Sequence, residues 1–179
     1  MDKQSARLLI REKLRTLDNK QNLSTTICQK IKGLNMKGKS ILLYKALPSE
    51  VNVDELISTY LDSFDVYLPK VKGDEMVLIK IDKNTEYEIG AFNIKEPKGK
   101  ELNPIDVDID ICITPLLGFD ESLNRLGKGK GYYDRFFAKC NCRKIGVAFE
   151  AQKVDSIDAD KFDVKLDMIV TEGNVYANN

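Results

Sequence analysis

The sequence predicts an α/β fold, a single domain over residues 1–179 in which a mostly parallel sheet is covered by helices. Three observations lead there. Short apolar runs of buried-strand type recur between segments whose apolar residues follow helical spacing. No internal repeat or low-complexity segment interrupts that alternation. A chain of 179 residues fits one domain, and at that size roughly 70% of the unfolded surface can be buried.

The elements follow in order. "KQSARLLIREKLRTL" sets Ala6, Leu9, Ile10, Leu14 and Leu17 at helical spacing, and "LSTTICQKIKGL" continues with Ile27 and Ile31 before Gly33 offers a stop. Two opening helices are therefore predicted. "SILLYKA" is an apolar run of buried-strand type; after "LPSE" the pattern of "VNVDELISTYLD" is helical, and "FDVYLPK" follows as a second strand. "MVLIKI" is another strand. "NTEYEIGAFNIKEPKGKELNP", charged and broken by glycine and proline, is read as irregular. "VDIDICITP", a helix opening near Gly131, "RKIGVAFE" and "LDMIVTE" complete a mostly parallel sheet.

Composition narrows the chemistry. Twenty-eight Lys and Arg balance 28 Asp and Glu, so no global field draws the chain to nucleic acid or anionic lipid, and phosphate binding would need local clustering. The absence of histidine removes Ser-His and Cys-His triads, His-ligated zinc and the usual neutral-pH proton shuttle. Carboxylates, lysines, tyrosines, a metal or substrate groups are left to do the work. Cys28, Cys112, Cys140 and Cys142 suit reduced thiols, and the Cys-x-Cys at 140–142 has no second pair at zinc-finger spacing. The polar "DKQSARLLIREKLR" after Met1 has no leader-like apolar core, and no apolar run is long enough to span a bilayer, so a cytoplasmic chain without membrane contact is expected.

One stretch stands apart. "RLGKGKGYYDRFF", residues 125–137, puts Gly127, Gly129 and Gly131 at alternate positions among Arg125, Lys128 and Lys130. Such glycines let backbone N–H groups approach a polyanion, and the cations supply charge. The aromatic run that follows repeats bulk at helical spacing, which points the positive end of a helix toward the loop. The stretch matches neither a P-loop, since Tyr132 stands where Ser or Thr would ligate magnesium, nor a dinucleotide fingerprint, whose glycines lie in a tight turn directly after a strand. From composition alone, a flexible turn with solvated lysines is an equal reading. A single-stranded RNA contact, with basic residues beside stacking tyrosines, is a further alternative. Zero net charge and the flanking acidic residues weigh against it.

"PLLGFDESLNRLGKGKGYYDRFF" resembles the signature of the 5-formyltetrahydrofolate cyclo-ligase (methenyltetrahydrofolate synthetase) family, in which a Gly-Phe-Asp loop leads into Arg-Leu-Gly-x-Gly-x-Gly-Tyr-Tyr-Asp. Lys3-x-x-x-Arg7, "YKALPSEVNVDEL", "YLPK", "AFEAQ" and "DVKLDMIVTE" resemble family segments in the same order, so the likeness spans nearly the whole chain. The fold it implies is a single three-layer α/β domain with helices on both faces of the sheet. The activity it implies is ATP-dependent closure of 5-formyltetrahydrofolate to 5,10-methenyltetrahydrofolate, releasing ADP and phosphate, with Mg2+ as cofactor and ATP as co-substrate. The partners are thus 5-formyltetrahydrofolate and ATP, with no nucleic acid, and a monomer is expected.

By the same resemblance, ATP is contacted by Lys3, Arg7 and the run Arg125, Leu126, Gly127, Lys128, Gly129, Lys130, Gly131, Tyr132 and Tyr133. Lys45 and Glu50 fall at folate-contacting positions, together with Lys128, Gly129, Lys130, Gly131 and Tyr132; Asp134 and Asp167 resemble magnesium-linked carboxylates. Arg125, Lys128, Lys130 and Tyr132 are the residues expected to act on the reacting groups. Taken without the resemblance, Lys3 and Arg7 belong to a solvated helix face, Glu50 to a helix start, Asp134 to a helix first turn, and Asp167 to a strand entry.

Overall fold

The structure, a computed structural model, describes residues 1–178. The helices are α1 (Lys3–Thr16), α2 (Lys20–Lys32), α3 (Asp54–Tyr60) and α4 (Tyr132–Lys139). The strands are β1 (Ser40–Leu42), β2 (Asp65–Lys72), β3 (Glu75–Ile81), β4 (Tyr87–Ile89), β5 (Lys95–Pro97), β6 (Ile111–Pro115), β7 (Gly118–Phe119), β8 (Arg125–Leu126), β9 (Arg143–Val147), β10 (Met168–Val170) and β11 (Val175–Ala177). Asp2 caps α1 by accepting the Ser5 N–H at 3.0 Å, and Ala6, Ile10 and Leu14 make its buried stripe. Among the described residues no helix is long and apolar enough to cross a membrane.

Seven strands form the main sheet in the order β11-β10-β9-β6-β1-β2-β3. Its centre is parallel, as in the registers Ile41↔Val66, Ile41↔Ile111, Ile113↔Ile145 and Met168↔Ile145, and only the outer pairs β2–β3 and β10–β11 are antiparallel. Side chains alternate between two cores along each central strand. Ile41, Ile113, Ile145 and Val170 face the core shared with α1, α2 and α3, whereas Leu42, Cys112, Ala148 and Ile169 face the core that holds Phe136 and Phe137 of α4. The α/β class, the mainly parallel sheet and helices on both faces are all present.

Three features depart from the expected elements. The segment read as irregular contains the β4–β5 hairpin, with Glu88 opposite Glu96. β7 and β8 form a two-residue ladder inside the loop after β6, and β11 adds an edge beyond "LDMIVTE". All three are short, and β4 and the rim of β11 are exposed, so no buried alternation marks them.

The topology has a switch point. β1 continues through α3 to β2 on one side, while β6 continues through α4 to β9 on the other. The neighbouring strands β1 and β6 therefore flank the point where the chain direction across the sheet reverses, and a crevice opens outside their carboxyl ends. The loops there are residues 43–53 and 116–131.

The Cys-x-Cys lies elsewhere, where α4 ends at Cys140 and leads into β9. A hydrogen bond from Cys142 lowers the Cys140 thiol to about 7 and raises that of Cys142, while burial pushes Cys28 and Cys112 up to about 12. Reactivity follows the thiolate. Alkylation by iodoacetamide is expected to fall first on Cys140, with a rate that climbs through an inflection near pH 7, and peptide mass spectrometry over pH 5–9 (roughly the range in which such thiols titrate) reads it. Even labelling of all four cysteines in the folded protein would contradict the geometry.

Candidate active site

The loop after β6 is held rigidly before it reaches the glycines. Asp120 is buried, and its carboxylate accepts from the backbone N–H groups of Ser122, Asn124 and Ile157 at 3.0, 3.1 and 2.9 Å and from the Asn124 side-chain amide at 2.9 Å. A charge so placed fixes the turn in which Leu123 takes a left-handed φ of 66°. Gln152, also buried, donates its amide to the Leu116 and Leu117 carbonyls at 2.9 Å and accepts the Phe149 N–H at 2.7 Å. Gly118 allows α1 to lie directly on this loop, for a Cβ there would stand 2.2 Å from Ile10 Cδ1. The α1 face carrying Arg7 is thereby brought to the glycine run.

Arg125 is the pivot of the run. Its side chain is only 7% exposed; Nε donates to the Pro115 carbonyl at the end of β6 at 3.1 Å, Nη1 lies 3.9 Å from Asp134 Oδ2, and the guanidinium stacks 5.1 Å from the Tyr133 ring centre. Burial lowers its pKa, and the Asp134 carboxylate works against that. Burial likewise drives Tyr133 far above the ordinary phenol range, so its ring serves as packing. Arg7 Nε donates to the Gly127 carbonyl at 3.0 Å. Gly129 and Gly131 take φ of 109° and 72°, conformations that an L side chain rarely adopts, and α4 starts at Tyr132 with its positive end at the loop.

Two of the candidate cations are already neutralised. Lys128 Nζ binds Glu50 Oε1 at 2.6 Å, and the other Glu50 oxygen accepts the Leu47 N–H at 3.0 Å. Lys3 Nζ binds Asp160 at 2.7 Å and also Asp163; burial lowers its pKa, but the bonds to the two carboxylates leave it raised overall. Lys45 pairs with Asp54 at 2.9 Å and lies 5.8 Å from the Tyr87 ring centre on the β4–β5 hairpin. Lys130 is exposed and has no ion-pair partner among the described residues.

Arg7, Glu50, Arg125, Lys128 and Asp134 thus converge on one crevice. Tyr132 is turned toward the β2–β3 turn, where its hydroxyl donates to the Gly73 carbonyl at 3.0 Å, and Arg135 stacks on it while donating to the Asp74 carbonyl at 2.6 Å. Asp167 sits at the amino end of β10 and accepts the Lys144 N–H at 2.8 Å. Asp134 Oδ1 accepts the Val164 N–H at 3.3 Å, so the contacts of the two acids do not overlap. Among the described residues no group of three or more His, Cys, Asp or Glu side chains is placed to hold a cation alone.

Sequence reasoning did not single out Asp120, Gln152 or Arg135. Asp120 and Gln152 lie inside the quoted "GFDE" and "AFEAQ" segments, but only burial reveals their work, and Arg135 reads as an ordinary helix cation.

With that geometry in view, the chain can be set beside known proteins. The model of the 5-formyltetrahydrofolate cyclo-ligase family matches residues 1–172. The chain belongs to this family. A 5-formyltetrahydrofolate cyclo-ligase of Mycoplasma pneumoniae is 35% identical over 179 residues, covering 96% of this chain and 99% of the relative. A probable 5-formyltetrahydrofolate cyclo-ligase of Schizosaccharomyces pombe is 32% identical over 176 residues, covering 87% of this chain and 86% of the relative. The NMR structure of the Aquifex aeolicus 5,10-methenyltetrahydrofolate synthetase superposes with a TM-score of 0.83 at 33% identity, covering 98% of this chain and 92% of that one. Family membership makes the chain an enzyme of the cyclo-ligase type and places it in folate one-carbon chemistry.

Proposed function

We propose that this chain closes 5-formyltetrahydrofolate to 5,10-methenyltetrahydrofolate at the expense of ATP, with Mg2+ required. The observation that carries this reading is the meeting of Arg7, Arg125 and the glycine run with the Lys128–Glu50 pair at one crevice. It joins a polyanion cradle to a carboxylate that suits the N–H donors of a pterin edge.

The chemistry explains those residue types. A formamide is a poor electrophile, and direct closure would expel its oxygen as hydroxide. Attack of the formyl oxygen on the γ-phosphorus of ATP releases ADP and turns that oxygen into a phosphate leaving group. N10 then attacks the activated carbon, loses its proton, and inorganic phosphate departs with the former formyl oxygen. Positioning and charge neutralisation dominate such a transfer, so a site without histidine is adequate.

Lys3, Arg7 and residues 125–133 hold the triphosphate; Lys45 and Glu50 orient the folate. Arg125, Lys128 and Lys130 face the charge that gathers on the transferred phosphoryl group, and Tyr132 fixes the start of α4 against the β2–β3 turn. Lys3 and Lys128 would exchange carboxylate partners for phosphate, and release of Lys128 would free Glu50 for the folate. Bound magnesium would spread charge across the phosphate oxygens. Asp134 fits that ion, since it borders the glycine run and its Oδ2 has only the 3.9 Å contact with Arg125. Asp167, the second acid by resemblance, would have to give up or share its bond to the Lys144 N–H. All these groups lie on one chain, and the four free thiols fit a reducing compartment; we assign the reaction to a cytoplasmic monomer.

Purified protein given 5-formyltetrahydrofolate and Mg-ATP is expected to accumulate the methenyl product, and its absence would refute the reading. Arg7→Ala provides a finer check. It removes a cation and the hydrogen bond to Gly127 from a partly buried site. The KM for ATP is expected to rise about tenfold with a stability loss of about 1 kcal/mol. A large drop in melting temperature with unchanged ATP dependence would make Arg7 purely architectural.

A further inference from the structure

The Cys-x-Cys at 140–142 takes no part in the chemistry proposed above and lies at the end of α4 opposite the glycine run. Cys140 closes α4 with φ −128° and ψ 126°, and β9 starts only at Arg143. In such an extended segment, side chains two positions apart leave the chain on the same side. Both thiols do so here: Cys142 belongs to the core that holds Phe136 and Phe137, and Cys140 packs against that core. Two extended residues span about 6.5 Å, inside the range of about 4.4–6.8 Å between Cα atoms that disulfides take. No ladder of the sheet holds residues 140–142, so the segment can turn to bring the sulfurs together.

Access separates the four cysteines. Cys28 and Cys112 are 0% exposed and Cys142 is 5% exposed, whereas Cys140 is half-buried. An oxidant arriving from solvent therefore meets Cys140 first. The surroundings also favour its thiolate, which is the reactive form. The hydrogen bond from Cys142 is the main cause; burial and the Asp108 carboxylate oppose it, and the Lys144 ammonium assists. That ammonium stands beside the pair, donating to the Cys142 carbonyl at 3.1 Å.

We propose that Cys140 and Cys142 are a peroxide-reactive dithiol, in which Cys140 is oxidised and Cys142 resolves it. The Cys140 thiolate attacks one oxygen of a hydroperoxide and the O–O bond breaks. The other oxygen leaves as water or an alcohol, with a proton from solvent. Sulfur is oxidised to the sulfenic acid and the peroxide is reduced. With the negative charge of Cys140 gone, the hydrogen bond that kept the proton on Cys142 is lost. The Cys142 thiolate attacks the Cys140 sulfur, the S–O bond breaks, water leaves and the disulfide closes. A thiol reductant returns both groups to the starting state. Turnover of folate has no part in this chemistry.

The test treats reduced, folded protein with hydrogen peroxide, alkylates the remaining thiols and reads the tryptic peptide 140–143, which carries both cysteines, by mass spectrometry. The expected product is that peptide lighter by two hydrogens and unalkylated, with Cys28 and Cys112 still reduced, and dithiothreitol reverses it. Cys142→Ser is expected to stop at the sulfenic acid, which dimedone traps on Cys140. Cys140→Ser is expected to slow thiol oxidation by about tenfold or more, since the accessible thiolate is gone. Should either variant fail to fold, the wild-type peptide map decides alone. Oxidation of Cys28 or Cys112 as fast as Cys140 would overturn the proposal. So would wild-type Cys140 that stops at sulfenic or sulfinic acid, a disulfide between two chains in place of the 140–142 bridge, or four intact thiols after excess peroxide.

Discussion

Asp134→Asn is expected to lose about a hundredfold or more in turnover while the protein still folds. Two roles for Asp134 have opposite signatures. As a helix-start charge in the first turn of α4, it contributes less than about 1 kcal/mol, an effect that salt screens. The isosteric Asn also keeps an oxygen for the Val164 N–H, which Asp134 Oδ1 accepts at 3.3 Å. On that account alone the variant would be nearly normal. If Asp134 helps to hold magnesium beside ATP, however, the carboxylate would supply charge that an amide cannot. The expected result is collapsed turnover, partial recovery as magnesium is raised, and a melting temperature close to that of the parent. Product formation over a magnesium titration beside a thermal melt reads all three, and near-normal turnover at limiting magnesium would return Asp134 to a helix-start role.

Arg125→Lys retains a positive charge and is nonetheless expected to lower kcat/KM by about 10²–10³-fold. The guanidinium makes three contacts that an ammonium cannot reproduce together: the bond to the Pro115 carbonyl, the approach to Asp134 and the stack on Tyr133. Since the site is 7% exposed, the Pro115 carbonyl would be left without its donor, at a cost of about 1–3 kcal/mol. Activity and stability should therefore fall together, unlike the Asp134→Asn result. Steady-state kinetics with a denaturant melt measure both. Retained kcat/KM would mean that charge alone, without the fork, is what the site uses at this position.

Much of the fold was legible because burial and period coincide. Ala6, Ile10 and Leu14 lie on one stripe of α1, and the runs at 40–43, 66–68, 111–113 and 145–147 are the buried centre of the sheet. The β4–β5 hairpin was not legible, because its strands pair Glu88 with Glu96 and carry Tyr87 and Ile89 outward, so nothing in the pattern distinguishes them from a charged loop. Of the site, alternate glycines among cations were compatible with an anion cradle or a flexible turn, and the resemblance favoured the cradle and implied a reaction. The Lys128–Glu50 pair could not be read, since 78 residues separate its members and only the adjacency of β1 and β6 brings their loops together. For the same reason Asp120 looked like one more polar turn residue, although its carboxylate ties the turn at 122–124 to the backbone of Ile157.

The central claim is that ATP is spent on the formyl oxygen and on nothing else. The most direct test counts ADP and 5,10-methenyltetrahydrofolate in the same reaction, with and without 5-formyltetrahydrofolate, at saturating Mg-ATP. The account predicts one ADP for each methenyl group formed and almost no ADP when the folate is omitted. Equal ADP release in both reactions, or methenyl product without ADP, would contradict it.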